Sequence, residues 1–294
     1  MNPLWLEEQL KQALMEDIGF GDRTTLAVVD AQHVSQAALI FKEGGVVAGL
    51  PVLEKVMQLV DPEVKVQCFC HDGTEVEQGA VVATLTGPTR AILTGERVAL
   101  NFLQRLSGIA TVTRQAVRLA EPYGVKIVDT RKTTPGLRML EKYAVTQGGG
   151  FNHRLRLDDA VLIKENHIRA AGGISQAVQR VREKLGHTVF IEVEVETLTQ
   201  VKEAISLNVN AILLDNMPPH QLREAVALIP SGMVSEASGN ITLDNLVEVA
   251  QTGVQVISIG WLTHSAKALD ISLTLDGAIK NNTLEGGNGY GTIL

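Results

Sequence analysis

Short apolar segments alternate with amphipathic segments throughout the second half of the chain, and this alternation constrains the fold more than any other feature. The predicted strands are 126–130, 161–164, 189–196, 211–216, 233–238 and 255–260. The predicted helices are 137–146, 174–184, 198–207, 219–228, 243–251 and 263–268. Strands that alternate with helices in this way form parallel sheets with right-handed crossovers. Six of them predict an incomplete parallel α/β barrel or an open doubly wound sheet.

The N-terminal part of the chain has a mixture of helix and strand signals. Apolar residues recur at helical spacing over 4–15 and 51–59, and 36–41 and 64–70 have the composition of strands. Residues 71–88 alternate apolar and polar side chains around glycines, which is typical of β-hairpins. This segment is similar to half of a lipoyl or biotinyl carrier domain, but it contains no lysine to carry the group. We therefore interpret it as a structural barrel-sandwich module.

Composition argues against several classes of function. The chain has 294 residues, a formal net charge of -7 and 4% aromatic residues, which disfavours a general binder of nucleic acid or membrane surfaces. The N-terminal segment has early acidic residues and no long apolar run, so we expect neither a signal peptide nor a membrane anchor. Cys68 and Cys70 lack further metal-type ligands nearby, which predicts buried thiols in a reducing, cytoplasmic environment.

Every predicted barrel strand ends in polar or glycine residues. In a parallel α/β barrel, the active site is built from the carboxyl ends of the strands and the loops that follow them. Six consecutive strand ends of this kind indicate a functional surface more strongly than a set of ordinary solvated loops. These ends carry Asp129, Thr130, Arg131, Lys132, Lys164, Glu165, Asn166, His167, Glu196, Asp215, Asn216, Glu236, Ser238, Gly239, Asn240, Ser258 and Gly260.

The third predicted strand carries a row of acidic residues. Glu192, Glu194 and Glu196 share one face of this strand because alternate residues point the same way. A carboxylate that faces a barrel interior is costly unless a cation pairs with it. Lys132 and Lys164, at neighbouring strand ends, are the expected partners.

A strongly basic segment follows the first predicted barrel strand. Residues 129–169 contain eight Lys or Arg and five Asp or Glu, a formal charge of +3 inside an acidic chain. Arginine binds carboxylates and phosphates through paired hydrogen bonds, so we expect a small ligand with several such groups. The glycine run 148–150 is a weaker signal, because it allows the backbone to approach a ligand.

Two glycine-containing loops late in the chain are candidate phosphate sites. Residues 238–240 (Ser-Gly-Asn) and 258–260 (Ser-Ile-Gly) each precede a predicted helix, and helix N-termini after such turns bind phosphate. Glu194 and Asp215 lie near these loops. Their carboxylates suit Mg²⁺ bridged to a diphosphate, or the hydroxyls of a ribose.

These segments together resemble the quinolinate phosphoribosyltransferase family. The core of the resemblance is DTRKTTPGLRMLEKYAVTQGGGFNHRLRLDDAVLIKENH, residues 129–167, and the likeness covers roughly residues 14–273. It implies an α/β fold with an N-terminal α/β open sandwich and an incomplete parallel α/β barrel. We place the sandwich at 1–115 and the catalytic barrel at 116–272. The segment 270–294 is expected to be able to pack back on the sandwich.

The resemblance also implies a reaction and an assembly. The family transfers phosphoribosyl from 5-phosphoribosyl-1-diphosphate to quinolinate, with Mg²⁺ and with loss of CO₂, and forms nicotinate mononucleotide and diphosphate for NAD biosynthesis. Its members are homodimers, and an arginine that corresponds to Arg97 completes the partner's site. From spacing alone, Arg97 would be a solvated helix residue or an ion-pair partner of Glu96.

The resemblance implies roles for particular residues. Quinolinate is expected to bind at Arg131, His153, Arg154 and Lys164. Lys132, Lys164, Glu194 and Asp215 are the expected catalytic residues, with the two acids also holding the metal. The full set that matches the substrate-binding positions is Arg97, Thr130, Arg131, Lys132, His153, Arg154, Lys164, Glu194, Asp215, Ser238, Gly239, Asn240, Ser258, Ile259 and Gly260.

Three alternatives remain from the sequence. A related enzyme that uses nicotinate would need fewer cations for its single carboxylate. A similar phosphoribosyltransferase associated with molybdenum transport would share the reaction class. A barrel that only binds phosphorylated metabolites is the third, and the acids beside Lys132 and Lys164 argue against it.

Overall fold

The computed structural model describes residues 2–275, and its first part is a small antiparallel sheet with helices. Its elements are α1 (Pro3–Ile18), α2 (Arg23–Val28), β1 (Val34–Phe41), β2 (Gly45–Val46), α3 (Leu50–Val60), β3 (Lys65–Cys68), β4 (Glu75–Val76) and β5 (Val81–Pro88). Asp22 caps α2 by accepting a hydrogen bond from Thr25 N at 3.0 Å. This cap marks the residue at which α2 begins.

The pairing of these strands corrects one prediction. β4 pairs with β2, whereas β5 lies between β1 and β3, so residues 71–88 do not form the predicted hairpin. Residues 71–88 contain two turns, as a hairpin region would. The strands β4 and β5 within this segment, however, pair with strands from other parts of the chain. Cys68 and Cys70 are free and only partly buried, which corrects the expectation of buried thiols.

A single helix connects this part to the second sheet. α4 (Thr89–Ala120) has 32 residues and packs against elements of both parts. The predicted division at 115/116 falls inside it.

The second part alternates strands and helices, as predicted. Its elements are β6 (Lys126–Val128), α5 (Arg138–Gln147), β7 (Val161–Ile163), α6 (Glu165–Ala171), α7 (Ile174–Lys184), β8 (Ile191–Val195), α8 (Leu198–Ser206), β9 (Ala211–Asp215), α9 (Pro219–Leu228), β10 (Val234–Ser238), α10 (Leu246–Ala250), β11 (Val256–Ser258), α11 (Trp261–His264) and β12 (Ile271–Leu275). The helix α6 was not predicted, because its residues were assigned to the loop after β7.

The six strands β6 to β11 form one parallel sheet in the order β6-β11-β10-β9-β8-β7. Among residues 2–275, β6 and β7 are not paired with each other, so the barrel is incomplete. Phe151 lies beside β6 instead: its amide donates to Ile127 O, and its carbonyl accepts from Asp129 N. The α/β fold class with a parallel barrel sheet and an N-terminal sandwich is thus confirmed.

The chain returns to its first sheet near the end of the described residues. β12 pairs antiparallel with β1, so the N-terminal sheet has the order β12-β1-β5-β3. The remainder of the predicted packing segment, 276–294, lies outside the described residues. No helix within 2–275 is both long and apolar enough to span a membrane.

Candidate active site

A pocket of about 570 Å³ opens at the carboxyl ends of the parallel strands, where catalytic sites of α/β barrels lie. This volume is within the range of about 300–1,000 Å³ that small-molecule sites occupy. The lining residues are Thr130, Arg131, Lys132, His153, Arg154, Leu162, Lys164, Glu194, Leu213, Asp215, Asn216, Glu236, Ser238, Gly239, Asn240 and Ser258. Twelve of the fifteen predicted substrate-binding residues are in this set.

The basic side of the pocket contains two arginines with unused donors. Arg131 and Arg154 both line the cavity, and the Nε atom of each is buried without a hydrogen-bond partner. The other end of Arg154 is anchored, because its Nη1 donates to Ala160 O at 2.9 Å. Burial, and then the positive charge of Arg131, lower the pKa of Arg154. A buried donor without a partner costs free energy, so these two groups are prepared for an anion.

His153 is held on both sides of its ring. Its Nε2 is 2.9 Å from Glu192 Oε2, and its Nδ1 accepts a hydrogen bond from Arg154 N at 2.8 Å. Because Nδ1 is an acceptor, the ring proton must be on Nε2, where Glu192 accepts it. Both ring nitrogens are therefore engaged within the protein. His153 contributes the orientation of the Arg154 backbone, and neither ring nitrogen is free to bind a ligand.

Two buried carboxyl groups lie beneath this ring. Glu192 and Glu236 are each about 4% exposed, and Glu236 Oε1 is 3.7 Å from His153 Nε2. Burial, and then the Glu192 carboxylate, raise the pKa of Glu236. Burial lowers the pKa of His153, but the hydrogen bond to Glu192 and the charge of Glu236 outweigh it, so that pKa is raised overall. A second ring proton would displace the Arg154 amide from Nδ1, and we therefore assign a neutral ring.

The same geometry tests whether His153, Glu192 and Glu236 form a metal site. Their ligand-type atoms all lie within 4.8 Å of one another. A metal would need a lone pair on Nε2, whereas the amide at Nδ1 requires a proton there. The cluster therefore does not fit a metal ion, and it acts as a hydrogen-bonded support for the basic loop.

The predicted pairing of lysines with the acidic row is partly correct. Lys164 Nζ forms an ion pair with Glu194 Oε2 across the ends of β7 and β8. Lys132 makes no such pair among the described residues, and Glu192 has His153 as its partner instead. Glu196 is exposed, since the strand ends at Val195. Within residues 2–275, Glu194 is thus the one acid of the row that pairs with a lysine.

The acidic side of the pocket is built from tight turns. Asp215 Oδ2 accepts a hydrogen bond from Asn216 Nδ2 at 2.6 Å, and Asn216 Oδ1 accepts one from Asn240 Nδ2 at 2.9 Å. Asn216, Gly239 and Asn240 all have positive φ, which favours glycine and asparagine. A Cβ on Gly239 would lie 2.9 Å from Asn216 N, so this position requires glycine.

Two expectations for the phosphate loops change. The helix after 238–240 begins only at Leu246, so these residues are not its N-terminus; Asn245 Nδ2 instead donates to Asn240 O at 3.0 Å. In the second loop, Ser258 lines the pocket, whereas Ile259 is buried with its amide donating to Val128 O at 2.9 Å. Gly260 does not line the cavity but packs against the Lys132 side chain.

Two further sequence signals lie outside the cavity. Arg97 is exposed on α4 and does not line the pocket of its own chain. Gly148 and Gly150 face α4, where a Cβ on Gly148 would lie 2.6 Å from Thr113 Cβ. The glycine run thus allows α5 to pack on α4, which corrects the expectation that its backbone approaches a ligand.

Sequence reasoning missed four lining residues: Leu162, Leu213, Asn216 and Glu236. Glu236 and Asn216 were visible as polar residues at or near the ends of two neighbouring strands, and that position was the available signal. The two leucines gave no signal, because apolar strand residues are expected everywhere in a parallel sheet.

Comparisons with known proteins find relatives for both parts of the chain. The chain matches the model of the quinolinate phosphoribosyl transferase N-terminal domain over residues 22–107 and that of the C-terminal domain over residues 109–274. It is 47% identical over 285 residues to a probable nicotinate-nucleotide pyrophosphorylase [carboxylating] of Bacillus subtilis (strain 168), covering 97% of this chain and 98% of the relative.

Two more relatives extend the comparison. A probable nicotinate-nucleotide pyrophosphorylase [carboxylating] of Synechocystis is 48% identical over 278 residues, covering 93% of this chain and 94% of its own. The solved structure of the nicotinate-nucleotide pyrophosphorylase from Francisella tularensis superposes with a TM-score of 0.90 at 40% identity, covering 94% of this chain and 97% of that one.

Proposed function

Because the chain belongs to the quinolinate phosphoribosyl transferase family, we propose that it transfers phosphoribosyl from 5-phosphoribosyl-1-diphosphate to quinolinate and releases CO₂, diphosphate and nicotinate mononucleotide in NAD biosynthesis. The observation that carries this proposal is the pair of buried, unpartnered Nε atoms of Arg131 and Arg154. Two such donors in one pocket match a ligand with two adjacent carboxylates, and quinolinate is a pyridine with that arrangement.

The pocket has room and charge for a second anionic substrate. Opposite the arginines, Asp215 and the turn 238–240 offer carboxylate, hydroxyl and amide groups for a ribose and its phosphate. Lys132 and Lys164 also line the pocket, and Lys164 pairs with Glu194. Substrates that are held together in this way react as if in one molecule, which lowers the entropic part of the barrier.

The chemical step then follows from the charges. The pyridine nitrogen attacks C1 of the ribose while the bond from C1 to the diphosphate oxygen breaks, and Lys132 and Lys164 stabilise the leaving anion. Glu194 and Asp215 stabilise the positive charge that develops on the sugar. The ring nitrogen of the product is cationic and accepts the electron pair left by CO₂. A proton from solvent completes nicotinate mononucleotide, so no paired acid and base are needed.

Mg²⁺ is part of the proposal. Glu194 and Asp215 both present carboxylates to the pocket, and Mg²⁺ prefers such oxygens together with substrate phosphates. These residues therefore fit the ion, which would neutralise diphosphate charge when bound. Glu194 already forms an ion pair with Lys164, so a bound ion would compete with this lysine for the carboxylate.

A homodimer is also proposed. Arg97 is exposed on α4 and is not part of its own pocket lining, which leaves it available to a second copy. Mixing Arg97→Ala with Arg131→Ala tests this, because only a shared site regains activity in the mixed dimers.

A cytoplasmic location is proposed as well, supported by the free thiols of Cys68 and Cys70.

A turnover assay with each acid separately tests the function. We expect CO₂ release and nicotinate mononucleotide from quinolinate, and no turnover of nicotinate. Turnover of nicotinate alone would show that the site takes one carboxylate, and binding without turnover would favour a metabolite-binding protein.

Lys132→Ala should lower kcat; if it changes only KM, its assigned role in the reaction is wrong.

A further inference from the structure

Two buried charges occupy consecutive positions on α5. Glu141 and Lys142 have 0% and 1% exposed side chains, although charged residues seldom lie inside a protein without a reason. Burial of either charge is costly unless partners compensate for it. The partners of these two side chains lie in different loops, and both loops belong to the basic side of the pocket.

Glu141 holds the loop that carries Arg131 and Lys132. Its Oε2 accepts a hydrogen bond from Thr134 N at 3.0 Å, and its Oε1 accepts one from Arg105 Nη2 at 2.8 Å. Arg105 lies on α4 and also donates to Ala266 O at 2.8 Å. The carboxylate therefore fixes this loop to two neighbouring parts of the molecule.

Lys142 holds the segment that carries His153 and Arg154. Its ammonium group forms an ion pair with Asp129 and donates to His153 O at 2.8 Å. Asp129 Oδ1 in turn accepts a hydrogen bond from His153 N at 2.9 Å. The buried ion pair of Lys142 and Asp129 thus binds the peptide groups on both sides of His153.

Arg138, in the first turn of α5, joins the same two loops. Its Nε donates to Thr133 Oγ1 at 2.9 Å, and its guanidinium also donates to Arg131 O at 3.3 Å and Leu155 O at 3.4 Å. Three of the ten residues of α5 therefore bond to these loops, and between them they reach both loops.

Such support is needed because Arg131 and Arg154 carry like charges. Their mutual repulsion and their buried, unpartnered Nε atoms both favour movement of the loops away from each other. Neighbouring helix positions point about 100° apart, so adjacent residues of α5 reach different loops. Both loops are therefore tied to a single helix.

We infer that Glu141 and Lys142 are positioning residues that set the spacing of Arg131 and Arg154 and thereby the preference for two adjacent carboxylates over one. This inference rests on the proposed function. It assigns substrate selectivity to side chains that do not line the pocket.

The test compares ligands that differ by one carboxylate. Phthalate has two adjacent carboxylates and no ring nitrogen to react, and benzoate has one. We expect Lys142→Met to lower the ratio of their affinities, measured by calorimetry, by about tenfold or more, because misplacement by about 1 Å can cost about 100-fold. The KM for 5-phosphoribosyl-1-diphosphate should change by less than about threefold, since that substrate uses the other side of the pocket.

Further variants keep the test decisive if Lys142→Met does not fold. Asp129→Asn with Lys142→Met removes both buried charges, retains the acceptor for His153 N and loses the bond to His153 O. Glu141→Gln tests the other loop with little change of shape. Arg118→Met, which breaks an ion pair with Glu75 on the surface, is the matched control and should leave the ratio unchanged.

The outcomes separate this inference from the proposed function. If the unaltered protein binds phthalate no more tightly than benzoate, the proposed function fails. If the unaltered protein prefers phthalate and every folded variant keeps that preference, the positioning inference is wrong.

Discussion

The two sides of the pocket are held in place by different physical means. On the basic side, buried side chains fix the loops: Asp129 and Lys142 hold the His153 backbone, and Glu192 holds its ring. On the acidic side, Asn216 and Gly239 form backbone turns with positive φ, and few buried charges are involved.

This difference follows from what each side must do. The positive charges of the two arginines repel each other, so the loops that carry them need strong, water-excluded partners before any anion arrives. The sugar side only needs amides, hydroxyls and carboxylates in a fixed turn, which local backbone geometry supplies. The ion pair of Lys164 and Glu194 joins the two sides, and a ligand that binds either residue must compete with the other.

The largest effect should come from removal of one arginine on the basic side. Arg154→Ala deletes a buried donor and should lower kcat/KM for quinolinate by about 100-fold to 1,000-fold, because loss of a buried charged partner costs about 2–5 kcal/mol. Arg156→Ala is the matched control, since Arg156 is 69% exposed and its one ion pair within residues 2–275 is with Asp158. Steady-state kinetics measure both, and equal effects would contradict a buried anion site at Arg154.

A smaller effect is expected on the sugar side, where geometry dominates. Gly239→Ala forces a Cβ against Asn216 N and should raise the KM for 5-phosphoribosyl-1-diphosphate about tenfold, since a shift of about 1 Å at a site costs up to about 100-fold. The KM for quinolinate should change little.

Gly253→Ala provides the control for backbone strain alone. Gly253 has a similar φ of 87°, but the nearest atom to its Cβ would be Val226 Cγ1 at 3.5 Å. It should lose about 1 kcal/mol of stability without a change in either KM. If both variants raise the KM equally, the contact with Asn216 is not the cause.

A third effect concerns the pH dependence of stability and separates the two sides by mechanism. The pKa of Glu236 is raised by burial from 4.5 to about 7, so its ionisation opposes folding. This penalty is absent below about pH 4.5, grows as the pH rises, and is complete above about pH 7. Glu236→Gln should therefore raise the free energy of unfolding at pH 8 by about 1–3 kcal/mol and leave it unchanged near pH 4.5.

Urea unfolding at the two pH values measures this difference. Glu248→Gln, at an exposed position on α10, should show no difference between them. The loss in Gly239→Ala should not depend on pH either, because it arises from backbone geometry. A gain for Glu236→Gln that is the same at both pH values would show that the carboxyl is not buried in its ionised form.

The fold was largely predictable because its signals are local. Strand and helix periods placed all six barrel strands, and α7 and α9 were predicted with their observed bounds. The errors arose where distant contacts decide: the pairing of β4 with β2 depends on residues some thirty positions apart. Likewise, the glycine run at 148–150 serves the packing of α5 on α4, which no local pattern indicates.

Most of the residues that line the candidate site could be predicted from the sequence, but their hydrogen-bond and ion-pair partners could not. Residue type and strand position identify the lining, because carboxyl ends of parallel strands converge. Residue type and strand position do not show which of these side chains will bond to each other. The sequence suggested that Lys132 neutralises an acid, whereas the structure shows His153 with Glu192 and Lys142 with Asp129.

The long helix α4 prevents the two halves of the chain from being exchangeable modules. The family models meet at Gly108, in the interior of a helix about 48 Å long, and this residue lies directly against the backbone at Lys267. A cut there would interrupt one continuous helix and expose the apolar core against which it packs. Insertion of a single residue would turn one end of the helix by about 100° relative to the other. Recombination between relatives is therefore restricted to exchanges that keep this helix whole and in register.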